Sequence, residues 1–479
     1  MFGAASLLTA VTLAGLIAGF AREWLLVAHW GAGGRTDAFL IAMFLPEAVR
    51  TMLAAGVLSS ASLSLWQGRT GDQRVTWLGH MTTAFGLLGL SLAALLCLGA
   101  PLLMHLMGPG LTASQHIAAQ SAFAGLVWSL PGLLLQALWA VPLQAQGRFL
   151  LAGWGSLLYN LPAIAYLAVQ RGQATEAGLA AAFVAGSWAM AAVMAPTVWR
   201  QGLRPAHLRW ATAPLRELGH QLAPLLGSAF AGQGLMLLER MAASYLGEGV
   251  VTVLNLARKL VNLPLMALMS LNQVLLSLMS RAQAPRVALL KRGMATVTMV
   301  SLPAAIGLML SAPALVALLF PKVQGAGMLA PILGGYAAML VLAGWITMLA
   351  RYNYADGDTR LPLRCELWGA AVQALTLPPL AWAWGAPGIV LSLLLSLSLT
   401  GWLLVRRNGL QGRLGLMTQS VASVLLLAVG GFGLLPHLSD ELVPRLLQAS
   451  AAGAASLILL AAWLRPWRAA PSVALSSGA

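Results

Sequence analysis

The sequence predicts an all-α, polytopic membrane protein with about 14 transmembrane helices. Of its 479 residues, 59% are hydrophobic and only 9% are charged. A soluble globular domain is about 25% charged. The apolar stretches run unbroken for about 20 residues or more, the length that a helix needs to cross the hydrocarbon. Strands of a membrane β-barrel would instead alternate polar and apolar residues.

The apolar stretches follow one another along the chain, and each defines one predicted span. The first has no basic leading segment and no clear cleavage site, so we interpret it as a retained helix and not as a signal peptide. Pro46 is expected to break the second span. The spans cover residues 4–28, 36–66, 80–106, 117–146, 150–169, 177–199, 216–246, 250–281, 293–320, 326–352, 361–384, 386–405, 413–435 and 443–464.

Basic residues are unevenly distributed between the links that join the spans. The formal net charge is +15, and most of the 28 Lys and Arg residues lie in links that follow even-numbered spans. Such a bias places these links in the cytoplasm, and with them both termini. The positive charge is therefore interpreted as an orientation signal, and no nucleic-acid partner is predicted.

The spans divide into two halves of six. The longest basic link, from Arg200 to Arg216, follows the sixth span. We predict an N-terminal lobe over residues 1–200, a second lobe over 201–405, and two further spans with a cytoplasmic tail over 406–479. Internal repeats with a substrate site between them are the usual construction of a transporter.

Ionisable residues inside the spans are the candidate site residues, because a charge at bilayer depth costs about 3 kcal/mol or more unless it faces protein or water. They occupy the first two spans of each half. We predict a cationic chamber for an anionic substrate, although structural ion pairs with the nearby carboxylates are the alternative. The residues are Arg22, Glu23, Asp37, Glu47, Arg50, Glu239, Arg240, Arg258 and Lys259.

Three polar residues have two interpretations each. Asp37 is either a cavity gate or charge partner near the outer face, or the N-cap of span 2. Glu239 either binds a coupling cation or proton, or forms a buried pair with Arg240 or with a neighbouring span. Asn160 either lines the cavity or, as we prefer, makes a hydrogen bond between helices.

The sequence contains no catalytic or metal-binding pattern. Cys97 and Cys365 form neither a disulfide framework nor a metal motif. A Walker loop and a Ser-His-Asp order are also missing. We therefore predict a transporter and not an enzyme, without a metal or a cofactor. Coupling to the membrane potential or to a monovalent cation is the expected source of energy.

Several short segments match a known family in order. They are Gly19-Phe20-Ala21-Arg22, Thr36-Asp37-Ala38-Phe39, Leu45-Pro46 through Arg50, Ala54-Ala55-Gly56 with Ser59, Gly147-Arg148-Phe149 with Asn160, Ala257-Arg258-Lys259-Leu260 with Pro264, and Arg351-Tyr352-Asn353-Tyr354-Ala355 with Asp358-Thr359 and Pro362. These segments resemble the MurJ/MviN lipid II flippases of the multidrug/oligosaccharidyl-lipid/polysaccharide exporter superfamily. The resemblance implies two six-helix lobes around a central cavity, and two further helices that form a groove for a lipid tail.

The resemblance also implies a function in the bacterial cytoplasmic (inner) membrane. The family moves undecaprenyl-diphosphate-linked sugars to the outer leaflet, and its cavity cations bind the diphosphate. Carried over to this sequence, the diphosphate ligands are Arg22, Arg50 and Lys259. The cavity charge or gate positions are Glu23, Asp37 and Arg258.

The chain departs from the family pattern at several of these positions. Lys259 stands where the family usually has arginine, Arg258 where it has aspartate, and Ala55 where it usually has glutamate. Lysine keeps the charge but lacks the bidentate fork that matches phosphate oxygens. These departures favour a relative that carries another polyprenyl-linked glycan, such as an exopolysaccharide repeat unit, with lipid II as the other candidate.

The expected partners are the lipid-linked glycan, the membrane lipids and, as a further possibility, proteins of glycan synthesis or polymerisation. Two other functions stay open. One is a drug or cation antiporter of the same superfamily, which would favour an acidic cavity. The other is a non-transporting membrane subunit of a polysaccharide synthase complex.

Overall fold

The computed structural model describes residues 2–54, 57–148, 151, 153–170, 172–262, 264–265, 286–320, 326–355, 358–412 and 422–464. These residues form helices, turns and bends, and no strand occurs among them. Four parts of the sequence analysis lie outside this set: the departure at Ala55, the matched Phe149, the second half of the eighth predicted span and the tail beyond residue 464. Contacts divide the chain into two compact units that meet in sequence between Thr252 and Val253.

Eleven labelled helices lie in the first unit, Met1–Thr252. They are α1 (Phe2–Trp30), α2 (Gly34–Ala54), α3 (Val57–Gln67), α4 (Asp72–Leu98), α5 (Ala100–Met107), α6 (Ala113–Leu126), α7 (Leu130–Trp139), α8 (Val141–Ala145), α9 (Gly155–Gln170), α10 (Glu176–Arg200) and α11 (Thr212–Tyr245). Side-chain caps fix some of their starts. Thr112 and Gln115 form a capping box at α6, and the Thr175 hydroxyl accepts from the amide of Gly178 at α10.

Helix α2 lies inside the first unit. Its residues 38–43 are consecutive, and none is more than 2% exposed, so this part of the helix is enclosed on every side. It packs against α1, α3, α5, α6, α7 and α11. The helix also continues through Pro46, so the expected break at this residue is wrong. Neighbouring helices satisfy or shield the backbone groups that a proline frees inside a membrane protein.

A further helix, α12, covers residues 250–262. The described helices of the second unit are α13 (Arg286–Leu319), α14 (Ala326–Ala355), α15 (Arg360–Trp384), α16 (Ala386–Arg407) and α17 (Leu442–Leu464), with a π-helical segment over Leu427–Gly433. Helix α13 packs against α14 and α17, and α16 packs against α14 and α15. Fully buried aliphatic residues such as Leu310, Leu333 and Leu340 form the core.

Seven helices of the described chain are long and apolar enough to cross a membrane. They are Asp72–Leu98, Ala113–Ala145, Glu176–Arg200, Val287–Leu319, Gly327–Ala355, Ala386–Arg407 and Leu442–Leu464. Large apolar side chains cover the outside of the molecule; Leu98 is 82% and Trp382 is 91% exposed. Exposed residues of this kind are typical of a lipid-facing surface. The predicted class, an all-α polytopic membrane protein, is confirmed.

Helix α11 belongs by its contacts to the first unit, although its sequence falls in the predicted second lobe. It packs against α2, α3, α4 and α5. Arg69 in the link between α3 and α4 forms an ion pair with Glu217 of α11, and the hydroxyl of Ser64 lies 2.8 Å from Oε1 of Gln221. The lobe boundary at residue 200 rests on hydropathy and charge placement in the sequence, and it stays a prediction.

Candidate substrate site

Two arginines and two glutamates of α1 and α2 form one ion-pair cluster. Nη2 of Arg22 donates to Oε1 of Glu23 at 2.5 Å and to Oε2 of Glu47 at 3.3 Å. Nη2 of Arg50 donates to Oε1 of Glu47 at 2.9 Å. Glu47 therefore bridges both guanidinium groups, one with each carboxylate oxygen. The four formal charges cancel within the cluster.

Helices α9 and α10 complete the surroundings of the two arginines. Nη1 of Arg22 donates to Oδ1 of Asn160 at 2.8 Å, which confirms the predicted hydrogen bond between helices. The guanidinium carbon of Arg22 lies 4.9 Å from the ring centroid of Phe183, and that of Arg50 lies 5.1 Å from the ring centroid of Tyr159. Cation–π contacts of this kind stabilise a positive charge away from water.

Exposure separates the cluster into a buried pair and an accessible pair. The side chains of Arg22 and Glu23 are 2% and 0% exposed, whereas those of Arg50 and Glu47 are 17% and 15% exposed. The alternative of a structural ion pair therefore describes Arg22 in this structure. The assignment of Arg22 and Arg50 as diphosphate ligands stays a prediction, and Arg50 is the more accessible of the two.

The carboxylate of Asp37 caps a helix, but not the helix that contains it. Helix α2 already begins at Gly34, so the expected N-cap of span 2 is wrong for Asp37. Oδ2 of Asp37 accepts from the amide of Gly249 at 2.6 Å, and Oδ1 accepts from the amide and the hydroxyl of Thr252 at 2.8 and 2.5 Å. These donors lie at the start of α12. The cavity-gate role of Asp37 stays a prediction.

Helix α11 contributes the next pair of ionisable residues. Nη1 of Arg240 donates to the backbone carbonyl of Leu40 in α2, and its guanidinium carbon lies 4.9 Å from the ring centroid of Phe44. Glu239 is buried at 7% exposure. Both interpretations of Glu239, ion coupling and a buried pair, therefore stay open.

In the second unit, α12 carries the adjacent cations Arg258 and Lys259, which are both partly buried. Nη2 of Arg258 lies 3.5 Å from the hydroxyl oxygen of Tyr336, and its guanidinium carbon is 5.6 Å from that ring centroid. Arg258 is thus held against α14. Lys259 follows it on a different face of the helix, about 100° around the axis. Its role as a diphosphate ligand stays a prediction.

An apolar cavity of about 500 Å³ lies within the second unit. It is bounded by α13, α14, α16 and the segment that includes Leu427. Trp345 and Trp402 lie in its wall, and Nε1 of Trp345 is turned to the hydroxyl of Thr298 at 2.7 Å. This cavity therefore presents hydrocarbon and aromatic rings with very few polar groups.

Comparisons with known proteins decide the family. The family model described as lipid II flippase MurJ matches residues 26–442 of the chain. The chain belongs to the MurJ family. This match includes Asp37, Arg50, Glu239 and the α12 cations, whereas Arg22 and Glu23 precede it.

Individual proteins are similar to the chain in sequence or in fold. The lipid II flippase MurJ of Burkholderia cenocepacia is 26% identical over 463 residues, which cover 89% of each chain. The solved structure of a lipid II flippase MurJ in an inward closed conformation has a TM-score of 0.83 at 18% identity, covering 96% of this chain and 99% of that one. An inward-facing multidrug resistance MATE family transporter has a TM-score of 0.67 at 16% identity, covering 84% and 95%.

Membership of the MurJ family makes the chain a multi-pass membrane transporter and not an enzyme, as the sequence predicted. Sequence reasoning did not single out Tyr159 and Phe183, whose rings lie against the two arginines of the ion-pair cluster. The available signal was a polar pair, Tyr159 with Asn160, in the middle of an apolar span. Aromatic residues are so common in membrane helices that this signal alone has little weight.

Proposed function

We propose that this MurJ family member flips a polyprenyl-diphosphate-linked glycan from the cytoplasmic to the outer leaflet by alternating access. The supporting observation is the cluster of α1 and α2, where two guanidinium groups are held within the helices of a membrane protein. A diphosphate head cannot cross hydrocarbon unaided, since charges at bilayer depth are costly. Fixed cations replace the water that the head loses.

Two further donor groups lie at this cluster beside the paired Nη atoms. Nε of Arg50 and the hydroxyl of Tyr159 are buried, and neither has a hydrogen-bond partner among the described residues. Buried donors of native proteins are almost always satisfied, so two orphans beside one another indicate a missing acceptor. A diphosphate supplies several acceptor oxygens and negative charge at the same time. The proposal therefore assigns Arg50 as the main ligand of the diphosphate head and Tyr159 as a further donor. Arg22 supports them as the buried cation of the cluster.

The remaining predicted residues take roles in the same proposal. Lys259 is the diphosphate ligand of the second unit, and Arg258 adjusts the local charge. The apolar cavity of the second unit suits an isoprenoid tail, because its wall offers hydrocarbon and aromatic contacts. A tail that stays in apolar surroundings leaves only the head to be translocated.

Two glycans are candidates for the cargo. The relatives carry the name lipid II flippase, which favours the peptidoglycan precursor. The departures at Arg258 and Lys259 favour another glycan, such as an exopolysaccharide repeat unit. Complementation of a strain depleted of its lipid II flippase separates them: growth indicates lipid II, and lysis at normal protein levels indicates another glycan.

The membrane potential is the proposed energy source. An inside-negative potential favours outward movement of the anionic head by about 2.3 kcal/mol per charge per 100 mV. A monovalent cation at Glu239 is the second proposed coupling route. The antiporter alternative has only the fold of the MATE transporter in its favour, at 16% identity.

Flipping by the purified protein in proteoliposomes tests the proposal. The substrate is a fluorescent polyprenyl-diphosphate saccharide, and dithionite reports the fraction left in the outer leaflet. We expect Arg50→Ala to slow flipping by about 10- to 100-fold, since a charge-assisted contact is worth roughly 1.5–3 kcal/mol. Arg35→Ala is the matched control, because Arg35 pairs with Glu176 outside the cluster. Unchanged flipping by Arg50→Ala would refute the proposed role of the cluster.

A further inference from the structure

We propose that Glu47 is a resident counter-ion of the substrate site, which occupies both arginines while no substrate is bound and leaves them when the diphosphate arrives. This inference rests on the proposed function, since it assumes that the cluster receives a diphosphate. It adds to that site a carboxylate that competes with the diphosphate for the arginines, and this competition promotes release of the product.

The geometry around Glu47 has the form of a carboxylate clamp. Each of its two oxygens accepts from a different guanidinium, at 3.3 Å from Arg22 and 2.9 Å from Arg50. These are the positions that oxygens of a bound phosphate would take, because carboxylate and phosphate share the same arginine donors. A diphosphate and Glu47 therefore cannot both accept hydrogen bonds from the same guanidinium N–H groups.

Exposure identifies Glu47, and not Glu23, as the carboxylate that moves. Glu23 is completely buried beside Arg22, so its displacement would leave a charge inside the protein. Glu47 is 15% exposed and lies three residues from Arg50 on the same helix. Its side chain is thus at the accessible edge of the cluster. Glu23 stays with Arg22 as a permanent pair.

Electrostatics make the exchange necessary and reversible. In the empty site the two glutamates balance the two arginines. A diphosphate brings at least two further negative charges, and like charges at contact distance repel strongly in surroundings of low polarity. When substrate leaves, Glu47 returns to the arginines and competes with rebinding. A site without this carboxylate would hold the diphosphate too tightly for rapid turnover.

The inference is tested with Glu47→Gln in lipid nanodiscs, with farnesyl diphosphate as the probe and farnesol as the uncharged control. Glutamine keeps the size of the side chain and one acceptor oxygen but removes the charge. We expect farnesyl diphosphate to bind about tenfold more tightly, a change of about 1.4 kcal/mol. Farnesol binding should not change. In proteoliposomes both the KM and the kcat of flipping should fall, because release becomes slower.

Two further variants make the result decisive. Glu47→Asp retains the charge on a shorter side chain, and it should bind the probe with an affinity between those of the original protein and Glu47→Gln. Glu176→Gln removes the charge from an arginine-paired glutamate outside the cluster, and it should leave the affinity unchanged. A carboxylate with a merely structural role would weaken binding when removed, not strengthen it.

The possible failures are distinguishable. If Arg50→Ala binds the probe as tightly as the original protein, the proposed function of the cluster is wrong, and the inference on Glu47 falls with it. If Arg50→Ala weakens binding while Glu47→Gln leaves it unchanged or weakens it, the diphosphate site stands and the counter-ion role of Glu47 is overturned. Glu47→Ala, which also removes the charge, provides the same decision if Glu47→Gln does not fold.

Discussion

The guanidinium of Arg22 is among the most deeply buried polar groups of the first unit, and each of its neighbours compensates for the loss of water. Glu23 and Glu47 supply opposite charge, Asn160 supplies a neutral acceptor, and Phe183 supplies a ring face. A buried ion is tolerated only with such a set of partners. Arg22 therefore acts first as a structural cation that holds α1, α2 and α9 in register.

This structural role predicts a stability effect that differs from the effect at Arg50. Arg22→Ala should lower the free energy of unfolding by about 3–5 kcal/mol, because it leaves the Glu23 carboxylate buried without its counter-ion. The double variant Arg22→Ala/Glu23→Ala should recover part of this loss, since no uncompensated charge remains. Thermal unfolding of the purified variants measures both.

Glu23→Ala alone completes the double-mutant cycle. A coupling energy near zero between the two positions would contradict the buried pair, because contacting residues of one ion pair are expected to couple.

At the scale of elements, the packing of α9 against α10 sets the position of the aromatic residues at the site. Gly186 of α10 lies against the backbone of α9, and a Cβ at this position would be 2.5 Å from the carbonyl oxygen of Tyr159. No rotamer change relieves a clash with a backbone atom. The absence of a side chain at Gly186 thus allows Tyr159 and Asn160 to reach the arginines.

Gly186→Ala is therefore expected to separate the two helices and to lower both stability and flipping. Overpacking of this kind costs typically about 1–3 kcal/mol. Gly86→Ala in α4 is the matched control, because a Cβ at Gly86 would meet nothing within 4 Å. In an unstrained helix the same substitution stabilises by about 0.4–1 kcal/mol. Equal melting temperatures for the two variants would show that the close approach is not important.

The sequence predicts the helices well because their length and hydropathy are local properties. The predicted span 177–199 corresponds to Glu176–Arg200, and 443–464 corresponds to Leu442–Leu464. It fails at Pro46, where the surrounding helices of the first unit determine the outcome. It also fails at Asp37, whose capping partners follow more than 200 residues later in the chain.

At the scale of the whole molecule, the sequence identified the charged residues but not their balance. Arg22, Glu47 and Arg50 were visible as charges within apolar spans. Helical spacing favours the Glu47–Arg50 pair, three residues apart on α2. The contact of Glu47 with Arg22 depends on how α1 and α2 pack, and no spacing rule encodes it. Arg50 Nε and Tyr159 Oη have no hydrogen-bond acceptor among the described residues. This, too, depends on the three-dimensional packing and cannot be predicted from the sequence. The charged residues of the site were thus predictable, whereas their contacts and their aromatic neighbours were not.

The charge bias predicts how the whole molecule is oriented in the membrane. Cysteine labelling checks this orientation. In a background without Cys97 and Cys365, Gln173→Cys lies in the exposed link between α9 and α10, and Arg209→Cys lies in the exposed link between α10 and α11. Basic residues concentrate in the second link, so it should face the cytoplasm. A membrane-impermeant maleimide should label Gln173→Cys in intact spheroplasts and Arg209→Cys only after permeabilisation. The reverse pattern would place the termini outside and would contradict the orientation that the charge bias predicts.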